Sequence, residues 1–471
     1  MTAGQIEQPV ALRTTRGRWL IAVTVLASGM AFLDGTAVNV ALPSIGRELD
    51  AGLADLQWTL SGYTLTLAGL ILLGGSLGDR YGRRKVFLIG VAWFAAASLL
   101  CGLAQVPWQL VAARALQGIG GALLTPGSLS LIQSSVRHGD RGRAIGIWSS
   151  LAGIAGLVGP FLGGALVDVA SWRLVFFINV PIAAVILVVA PRHVPESRDG
   201  AHHGRFDYAG AVFGALGLGG ITYALITAGE DPGRPDVWIA AALGVLAGVA
   251  FVVRERRAAD PMLPLQLFAE RQFTGANLST FAVYAALAGF SLFLVLQLQE
   301  VLGYGATAAG AAMLPSILLI TLLSPRAGAL AERIGPRIPM TVGPLIASAG
   351  TLYLVGVDGS APYWLEVLPG SLLQGLGMAT TVAPLTATVL GAAPDSKAGI
   401  ASGVNNAVAR AAQLLAVAAL PVAVGLSGTD YDHPEVFTAG YRTALVVCSV
   451  LFAVGGIIAW VTIRRDVLEP D

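Results

Sequence analysis

The stretch Gly75-Ser-Leu-Gly-Asp-Arg-Tyr-Gly-Arg-Arg-Lys85 is a short basic loop between two apolar runs, each long enough to span a membrane. The stretch Gly328-Ala-Leu-Ala-Glu-Arg-Ile-Gly-Pro-Arg337 repeats its spacing 253 residues later. Five positions are identical and a sixth is acidic in both: Gly75/Gly328, Leu77/Leu330, Arg80/Arg333, Gly82/Gly335, Arg84/Arg337 and Asp79/Glu332. Two similar halves in one membrane chain are typical of a transporter, in which the substrate lies between halves that rock about it.

The composition predicts an integral membrane protein. Of the 471 residues, 55% are hydrophobic and only 12% are charged, whereas a soluble domain has about a quarter charged residues. The mean hydropathy is +0.72. The two cysteines, Cys101 and Cys448, lie far apart inside apolar runs, so we expect free thiols and neither a disulfide framework nor a metal site.

Apolar runs of about 20 residues, the length that spans a bilayer, predict an all-α membrane protein with fourteen transmembrane helices. The predicted spans lie near residues 19–43, 55–77, 86–104, 108–134, 142–167, 174–190, 208–228, 237–253, 273–299, 307–330, 338–356, 363–391, 398–425 and 440–463.

The distribution of lysine and arginine predicts the orientation of these helices. On one side of the predicted topology every loop and terminus carries at least one of these cations. The opposite loops hold only Arg47, Arg173, Arg234 and Arg442. Because cytoplasmic loops carry the excess of lysine and arginine, we expect both termini in the cytoplasm and a bacterial cytoplasmic membrane as the location.

The internal repeat extends beyond the basic loop. Leu116-Gln-Gly-Ile-Gly120 in the fourth predicted helix is matched by Leu373-Gln-Gly-Leu-Gly377 in the twelfth, at an offset of 257 residues. Helices one to six therefore correspond to helices nine to fourteen. We expect a six-helix bundle over residues 1–190, a linker with two extra helices over 191–272, and a second six-helix bundle over 273–471.

Three charged residues lie clearly inside the predicted spans: Asp34, Arg114 and Arg410. A charge at that depth costs about 2.5–3.5 kcal/mol on insertion scales, so it indicates a function by default. Asp34 lies nine residues before Pro43, hence about 14 Å from the outer end of its helix. Burial favours the neutral acid and an adjacent arginine favours the carboxylate, so Asp34 is a candidate for binding and releasing a proton. The alternative is a permanent structural salt bridge to Arg114.

Each intramembrane arginine also has two interpretations. Arg114 either tunes Asp34 and orders water beside it, or anchors the fourth helix through backbone carbonyls. Arg410, with two asparagines a turn or so before it, either meets a polar or anionic group of a substrate or clamps two helices by hydrogen bonds. The residues predicted to line a substrate cavity are Thr36, Asn39, Tyr63, Gln117, Asn405, Asn406 and Arg410.

The fifth predicted helix is rich in small residues. Its motif residues are Gly153, Gly156, Gly159, Pro160, Gly163 and Gly164. Small residues let helix backbones approach closely in lipid, and a proline removes a backbone hydrogen bond and bends the helix. Close packing alone would explain the glycines, but not a Gly-Pro followed by Gly-Gly in only one of the two halves.

The basic loop contains a candidate gate. Gly78 and Gly82 allow tight turns, and Arg83 could pair with the other half to hold the cytoplasmic side shut. The alternative is that its arginines only enforce the topology. The predicted gating residues are Gly75, Gly78, Asp79, Arg80, Gly82, Arg83 and Arg84.

Taken together, these motifs resemble the major facilitator superfamily, and within it the fourteen-helix drug:proton antiporters. Similar stretches, in chain order, are Leu33-Asp-Gly-Thr-Ala-Val-Asn-Val-Ala-Leu-Pro43, the loop at 75–84, Arg114-Ala-Leu-Gln-Gly-Ile-Gly120, residues 153–164, and Trp172-Arg-Leu-Val-Phe-Phe-Ile-Asn-Val-Pro181. The resemblance covers the whole chain. The roles that it implies are a proton-carrying carboxylate for Asp34, its helper for Arg114, the gate for Asp79 and Arg83, and the antiport element for Gly159 and Pro160.

The resemblance implies proton-coupled export of small amphiphilic drugs or antibiotics by alternating access. Some multidrug members carry further intramembrane acids in the C-terminal half, and this chain has Arg410 as its mid-membrane charge there. That difference argues against dicationic substrates and leaves lipophilic monocations, neutral antibiotics and acidic metabolites open. An exporter dedicated to one metabolite or self-made antibiotic is the first alternative, and a non-transporting membrane sensor or scaffold is the second.

The remaining expectations concern partners and chemistry. The sequence has no phosphate-binding loop and no nucleophile elbow, so we expect neither an ATP-driven pump nor an enzyme. We expect a proton gradient instead of a cofactor, and a small-molecule substrate, protons and the lipid bilayer as partners, with no nucleic acid. Each chain contains both halves of its own pathway, so a monomer is expected.

Overall fold

The structure, a computed structural model, describes residues 10–198, 207–258, 261–394, 398–428 and 430–464. Among these residues, fourteen helices are long and apolar enough to cross a membrane. Each overlaps one predicted span, which confirms the all-α membrane fold. The helices are α1 (Thr15–Leu49), α2 (Leu53–Tyr81), α3 (Arg83–Leu103), α4 (Pro107–Ser135), α5 (Gly139–Val169), α6 (Arg173–His193), α7 (Tyr208–Glu230), α8 (Pro235–Arg257), α9 (Arg271–Val301), α10 (Ala306–Ile334), α11 (Arg337–Gly356), α12 (Leu368–Gly391), α13 (Ile400–Ala423) and α14 (Pro434–Thr462).

Helix α1 extends well beyond the predicted span 19–43. The Thr14 hydroxyl caps its first turn by accepting a hydrogen bond from the Gly17 N–H at 3.1 Å. The helix ends at Leu49, and the next residue, Asp50, has a φ of 52° in the left-handed region. Pro43, predicted to mark the outer end, lies inside the helix, so that boundary was wrong. Asp34 is the twentieth of the 35 helical residues and therefore still lies near the middle.

The helices pack as two groups of six and one pair. Helices α1 to α6 pack against one another, as do α9 to α14, while α7 and α8 pack together as a hairpin. In this hairpin, α7 also contacts α2 of the first group and α13 of the second. The bundle boundaries near residues 191 and 272 stay a prediction, because helix packing does not test them as folding units.

The two groups share one continuous apolar core at one end but not at the other. At the end where α1 finishes and α2 begins, one apolar core combines Leu42 and Ile45 of α1 with Phe293 of α9 and Phe437 of α14. At the opposite, basic end, the buried cores of the two groups are distinct, and the groups touch where Gly403 and Ala407 of α13 meet Leu72 and the N-terminal core. We call the joined end the outer end, following the predicted topology. Both chain termini and Lys397, the cation between α12 and α13, lie outside the described residues.

Polar contacts between the groups also lie at the outer end. Arg47 of α1 forms an ion pair with Glu300 of α9 at 2.8 Å. The Asp168 carboxylate of α5 accepts from the first backbone N–H groups of α10, at 3.1 and 2.8 Å, where the helix dipole favours a negative charge. Further hydrogen bonds join Gln57 to the Val417 carbonyl, Gln299 to the Val40 carbonyl and Tyr431 to the Ala51 carbonyl. The conformation is therefore closed at the outer end.

Candidate functional site

The intramembrane acid and the first intramembrane arginine form one buried ion pair. Asp34 of α1 is 0% exposed and Arg114 of α4 is 1% exposed. Arg114 Nη1 donates to Asp34 Oδ2 at 2.6 Å. Charges attract each other far more strongly in a low-dielectric interior than in water. Removing either partner would leave an uncompensated buried charge, at a cost of about 3–5 kcal/mol.

Neutral side chains complete the hydrogen bonding around this pair. Gln117 of α4 and Asn179 of α6 both donate to Asp34 Oδ1, at 2.8 and 3.3 Å. The Ser98 hydroxyl of α3 accepts from the same two amides, at 3.2 and 3.0 Å. Both carboxylate oxygens of Asp34 thus have partners in a site closed to solvent. We call Asp34, Ser98, Arg114, Gln117 and Asn179 the polar cluster.

Arg114 also has partners that do not depend on Asp34. Its Nε donates to the Thr59 carbonyl of α2 at 3.1 Å, and its Nη1 donates to Gln117 Oε1 at 2.6 Å. The guanidinium carbon lies 4.4 Å from the ring centre of Tyr63, a cation–π contact. These neutral partners would remain if Asp34 took up a proton. The position of Arg114 therefore does not depend on the ion pair alone.

Of the N-terminal residues predicted to line the cavity, two are fully buried and two are half-buried on α1. Gln117 belongs to the polar cluster and Tyr63 packs beneath it, so both are buried and do not face an open cavity. Thr36 and Asn39 are half-buried and bond to the backbone of their own helix, to the carbonyls of Phe32 and Gly35, each at 3.0 Å.

The C-terminal candidates differ from one another. Asn405 of α13 donates to Thr280 Oγ1 at 2.8 Å and to Asn277 Oδ1 at 3.2 Å, both on α9, so it clamps two helices of the same group. Asn406 is exposed and donates to a carbonyl of its own helix. Arg410 is half-buried, and its Nη1 donates to the neutral Gln413 at 3.2 Å.

The glycine motif of α5 forms two contact faces. One face meets α1, where a Cβ added to Gly163 would lie 2.6 Å from the Cβ of Ala37, and Gly159 packs against Thr36. The other face meets α10 of the second group, where Gly164 packs against the Ala306 carbonyl. Small residues thus permit close approach on both sides of α5.

Three further residues complete this motif. The Pro160 carbonyl packs against Gly310 of α10, and Gly156 lies near Phe32 of α1. A Cβ on Gly153 would meet no atom of the described residues within 4 Å. The contacts between α5 and α10 therefore lie in the outer part of the helix, which agrees with the closed outer end.

The basic loop makes local ion pairs in this conformation. Arg83 Nε donates to Asp79 Oδ1 at 2.7 Å within the same segment, not across the two groups. Gly82 has a φ of 113°, a left-handed value that favours glycine. A Cβ at that position would lie 2.9 Å from the Glu196 carboxyl carbon. Of the other predicted gating residues, Gly78 accepts from the Gly82 N–H at 3.0 Å.

Glu196 is the acid that caps α3. Its carboxylate accepts from the backbone N–H groups of Arg84 and Lys85, at 3.0 and 3.2 Å, and lies 3.8 Å from the Arg84 side chain. The guanidinium of Arg80 lies 5.7 Å from the Tyr81 ring centre. The segment after α6 is therefore fastened to the start of α3 by charge-assisted hydrogen bonds.

The sequence predicts Asp34, Arg114 and Gln117 as site residues but not Asn179, Ser98 or Glu196. Asn179 lies in the stretch 172–181 that resembles the drug:proton antiporters, but an uncharged amide does not by itself indicate a functional site. Ser98 is a single hydroxyl in an apolar helix. Glu196 is one of several acids in a charged linker, and nothing in its spacing indicates that it caps α3.

Comparison with known proteins settles the family. Residues 24–417 and 276–471 match the model of the Major Facilitator Superfamily. The chain belongs to the major facilitator superfamily. The puromycin resistance protein of Streptomyces alboniger is 35% identical to it over 96% of this chain and 92% of its own length. The multidrug resistance protein Stp of Mycobacterium tuberculosis is 36% identical over 88% of this chain and 78% of its own length.

Solved structures support the superfamily fold. A POT family transporter, crystallised with a thioalcohol-conjugated peptide, has a TM-score of 0.70 at 14% identity, covering 97% of this chain and 99% of that one. At this identity the likeness shows the fold alone. Family and fold are those of multi-pass membrane transporters of the major facilitator superfamily.

Proposed function

We propose that this protein exports small amphiphilic compounds, including drugs or antibiotics, in exchange for protons. The names of its relatives, a puromycin resistance protein and a multidrug resistance protein, support export of such compounds. The observation that carries proton coupling is the buried pair of Asp34 and Arg114 at the middle of the membrane-spanning helices. Intramembrane acids are expensive to retain, and proton relays are among their main uses.

In the proposed cycle, a proton from outside binds Asp34 when the protein opens to that side. Protonation removes the strongest partner of Arg114 and leaves the arginine held by Thr59 and Gln117. If the two conformations differ in proton affinity, proton binding changes their relative populations. Release of the proton to the cytoplasm re-forms the ion pair. This order fits the conformation described above, in which the pair is formed and the outer end is closed.

Alternating access would break and re-form contacts at the two ends in turn. Opening to the outside requires the outer ion pair between Arg47 and Glu300 to separate, as well as the contacts between α5 and α10. At the basic end, Arg83 would exchange Asp79 for a partner in the other group when that end closes. The predicted gate of Asp79 and Arg83 remains part of this proposal.

The permanent salt bridge is the alternative to proton coupling, and replacing the acid separates the two. Everted vesicles with an acid interior and a pH-sensitive dye would receive anionic, neutral and cationic amphiphiles in turn, with puromycin among them. We expect compound-triggered alkalinisation with the wild type and none with Asp34→Asn. Asp236→Asn, which alters an exposed ion pair on α8, is the matched control. Normal coupling in Asp34→Asn would contradict the proposal.

Export of one specific compound is the second candidate, favoured by the relative named for puromycin resistance alone. A resistance profile of cells expressing the protein, measured against chemically varied antibiotics, distinguishes the two. Protection against a single compound would support a dedicated exporter. Protection against several unrelated amphiphiles would support a broad one.

We further propose the bacterial cytoplasmic membrane as the location, with both termini inside, a monomeric state, and the proton gradient as energy source without a cofactor. The excess of lysine and arginine at the end opposite the joined one supports this orientation. Fusions of a fluorescent protein or a periplasmic phosphatase to the C-terminus test it. Phosphatase activity without fluorescence would contradict a cytoplasmic C-terminus.

A further inference from the structure

The two groups differ in how their intramembrane charges are balanced. In the N-terminal group the negative charge of Asp34 is neutralised by Arg114 at 2.6 Å. Arg410 of the C-terminal group donates to a neutral amide, Gln413. Acids of the six C-terminal helices occur only near helix ends: Glu300, Glu332 and Glu435. No acid of these helices is therefore placed to neutralise Arg410 at mid-membrane.

The position of Arg410 is suited to a ligand. The side chain is half-buried on α13, a helix that packs against α2 of the other group. On the same face of α13, about one and two turns earlier, Ala407 packs against the apolar core of the N-terminal group, and a Cβ on Gly403 would lie 2.9 Å from Leu72 of α2. Arg410 therefore lies on the face of α13 that meets the N-terminal group. A half-buried guanidinium at this junction suits a compound with an apolar body and an anionic end.

We propose that Arg410 is the anion-binding residue of the substrate site, and that the protein prefers amphiphiles bearing a carboxylate or a similar anionic group. The inference rests on the proposed export function and specifies its substrate class. A positive charge in a low-dielectric pathway attracts an anion and repels a cation. A membrane potential that is negative inside also drives an exported anion outward, so such a substrate leaves down the electrical gradient.

Equilibrium binding tests the proposal without requiring transport. The full-length chain in nanodiscs of a neutral phospholipid would be titrated with three probes that share one dansyl group and one alkyl chain. The probes end in a carboxylate, a hydroxyl or an ammonium group. We expect the wild type to bind the carboxylate probe about 10- to 100-fold more tightly than the ammonium probe, the range of a charge-assisted hydrogen bond.

Three variants identify the residue responsible. Arg410→Gln should weaken binding of the carboxylate probe about 10-fold or more and leave the hydroxyl probe unchanged. Arg410→Lys should keep part of the preference, because the charge remains. Arg326→Gln, which removes an exposed arginine of α10 that bonds to its own helix, is the matched control and should change nothing.

Two results would overturn the proposal. One is equal or tighter binding of the ammonium probe by the wild type. The other is an equal loss of all three probes in Arg410→Gln, which would make Arg410 a structural clamp. The test is separable from that of the proposed function. A carboxylate preference that depends on Arg410 would support the anion site even if vesicles showed no export, and export unaffected by Arg410→Gln, with no preference among the probes, would contradict the anion site alone.

Discussion

Replacing Asp34 and Arg114 singly and together tests whether the buried ion pair is one energetic unit. Asp34→Asn keeps the side-chain shape, and Arg114→Gln is shorter but still polar; each leaves the partner charge buried. The two side chains are at least 99% buried and 2.6 Å apart. We therefore expect each single variant to lose about 3–5 kcal/mol of unfolding free energy.

The double variant should be more stable than either single variant. It contains no buried charge, and its amides are still able to bond with Gln117 and the Thr59 carbonyl. Independent effects would add to about 6–10 kcal/mol. A loss of about 1–3 kcal/mol instead would be typical of a few missing hydrogen bonds. The double variant should therefore lose less unfolding free energy than the sum of the losses in the two single variants.

Unfolding by SDS in mixed micelles, followed by helical circular dichroism, measures these differences. Asp236→Asn is again the control, because Asp236 lies far from the polar cluster: it pairs with the exposed Arg234 and accepts from the Tyr223 hydroxyl at 2.7 Å, and exposed ion pairs contribute little. A double variant as unstable as the sum of its parts would refute the reasoning. It would mean that Asp34 and Arg114 stabilise the fold separately, through their other hydrogen bonds.

Three further predictions follow from close contacts in the structure. Gly163→Ala should destabilise the fold by about 1–3 kcal/mol in the same unfolding assay, because its Cβ would lie 2.6 Å from that of Ala37. Gly153→Ala, in open space on the same helix, is the control and should be neutral or slightly stabilising. Gly310→Ala should push α10 away from α5 and speed the modification of a cysteine introduced at the outer end, and an unchanged rate would contradict this. Glu196→Gln should cost about 0.3–1 kcal/mol by removing the charge at the start of α3, and a variant as stable as the wild type in low salt would show that the cap is unimportant.

The sequence predicted the helices and the central ion pair for simple physical reasons. A membrane-spanning helix must be apolar along its length, so composition alone reveals it. A charge inside such a helix is rare enough to be noticed individually. Asp34 and Arg114 were the only such charges in the N-terminal half, so each was the obvious partner of the other. Helix ends were less predictable, since α1 continues through Pro43 to Leu49.

Uncharged members of the site could not be predicted in the same way. An uncharged amide or hydroxyl costs far less free energy than a charge inside a membrane-spanning helix. Asn179 and Ser98 therefore do not stand out in the sequence until their neighbours in the structure are known. Asn405 illustrates the opposite error, a site residue predicted but not found. It was predicted to line the cavity, and its side chain instead donates a hydrogen bond to Thr280 of α9. Which face a polar residue presents depends on helix rotation, and apolar residues on all sides of these helices give little information about it.

The inserted hairpin makes the two seams between the groups unequal. Helices α2 and α13 meet directly, as α5 and α10 do, but only the first of these seams is also covered by α7, which packs against both α2 and α13. Because α7 contacts both α2 and α13, it has to move with both of them. This side of the molecule is therefore suited to act as a hinge. The opposite side, between α5 and α10, would then open widest. The hairpin of α7 and α8 would thereby set the axis of the alternating-access motion proposed above.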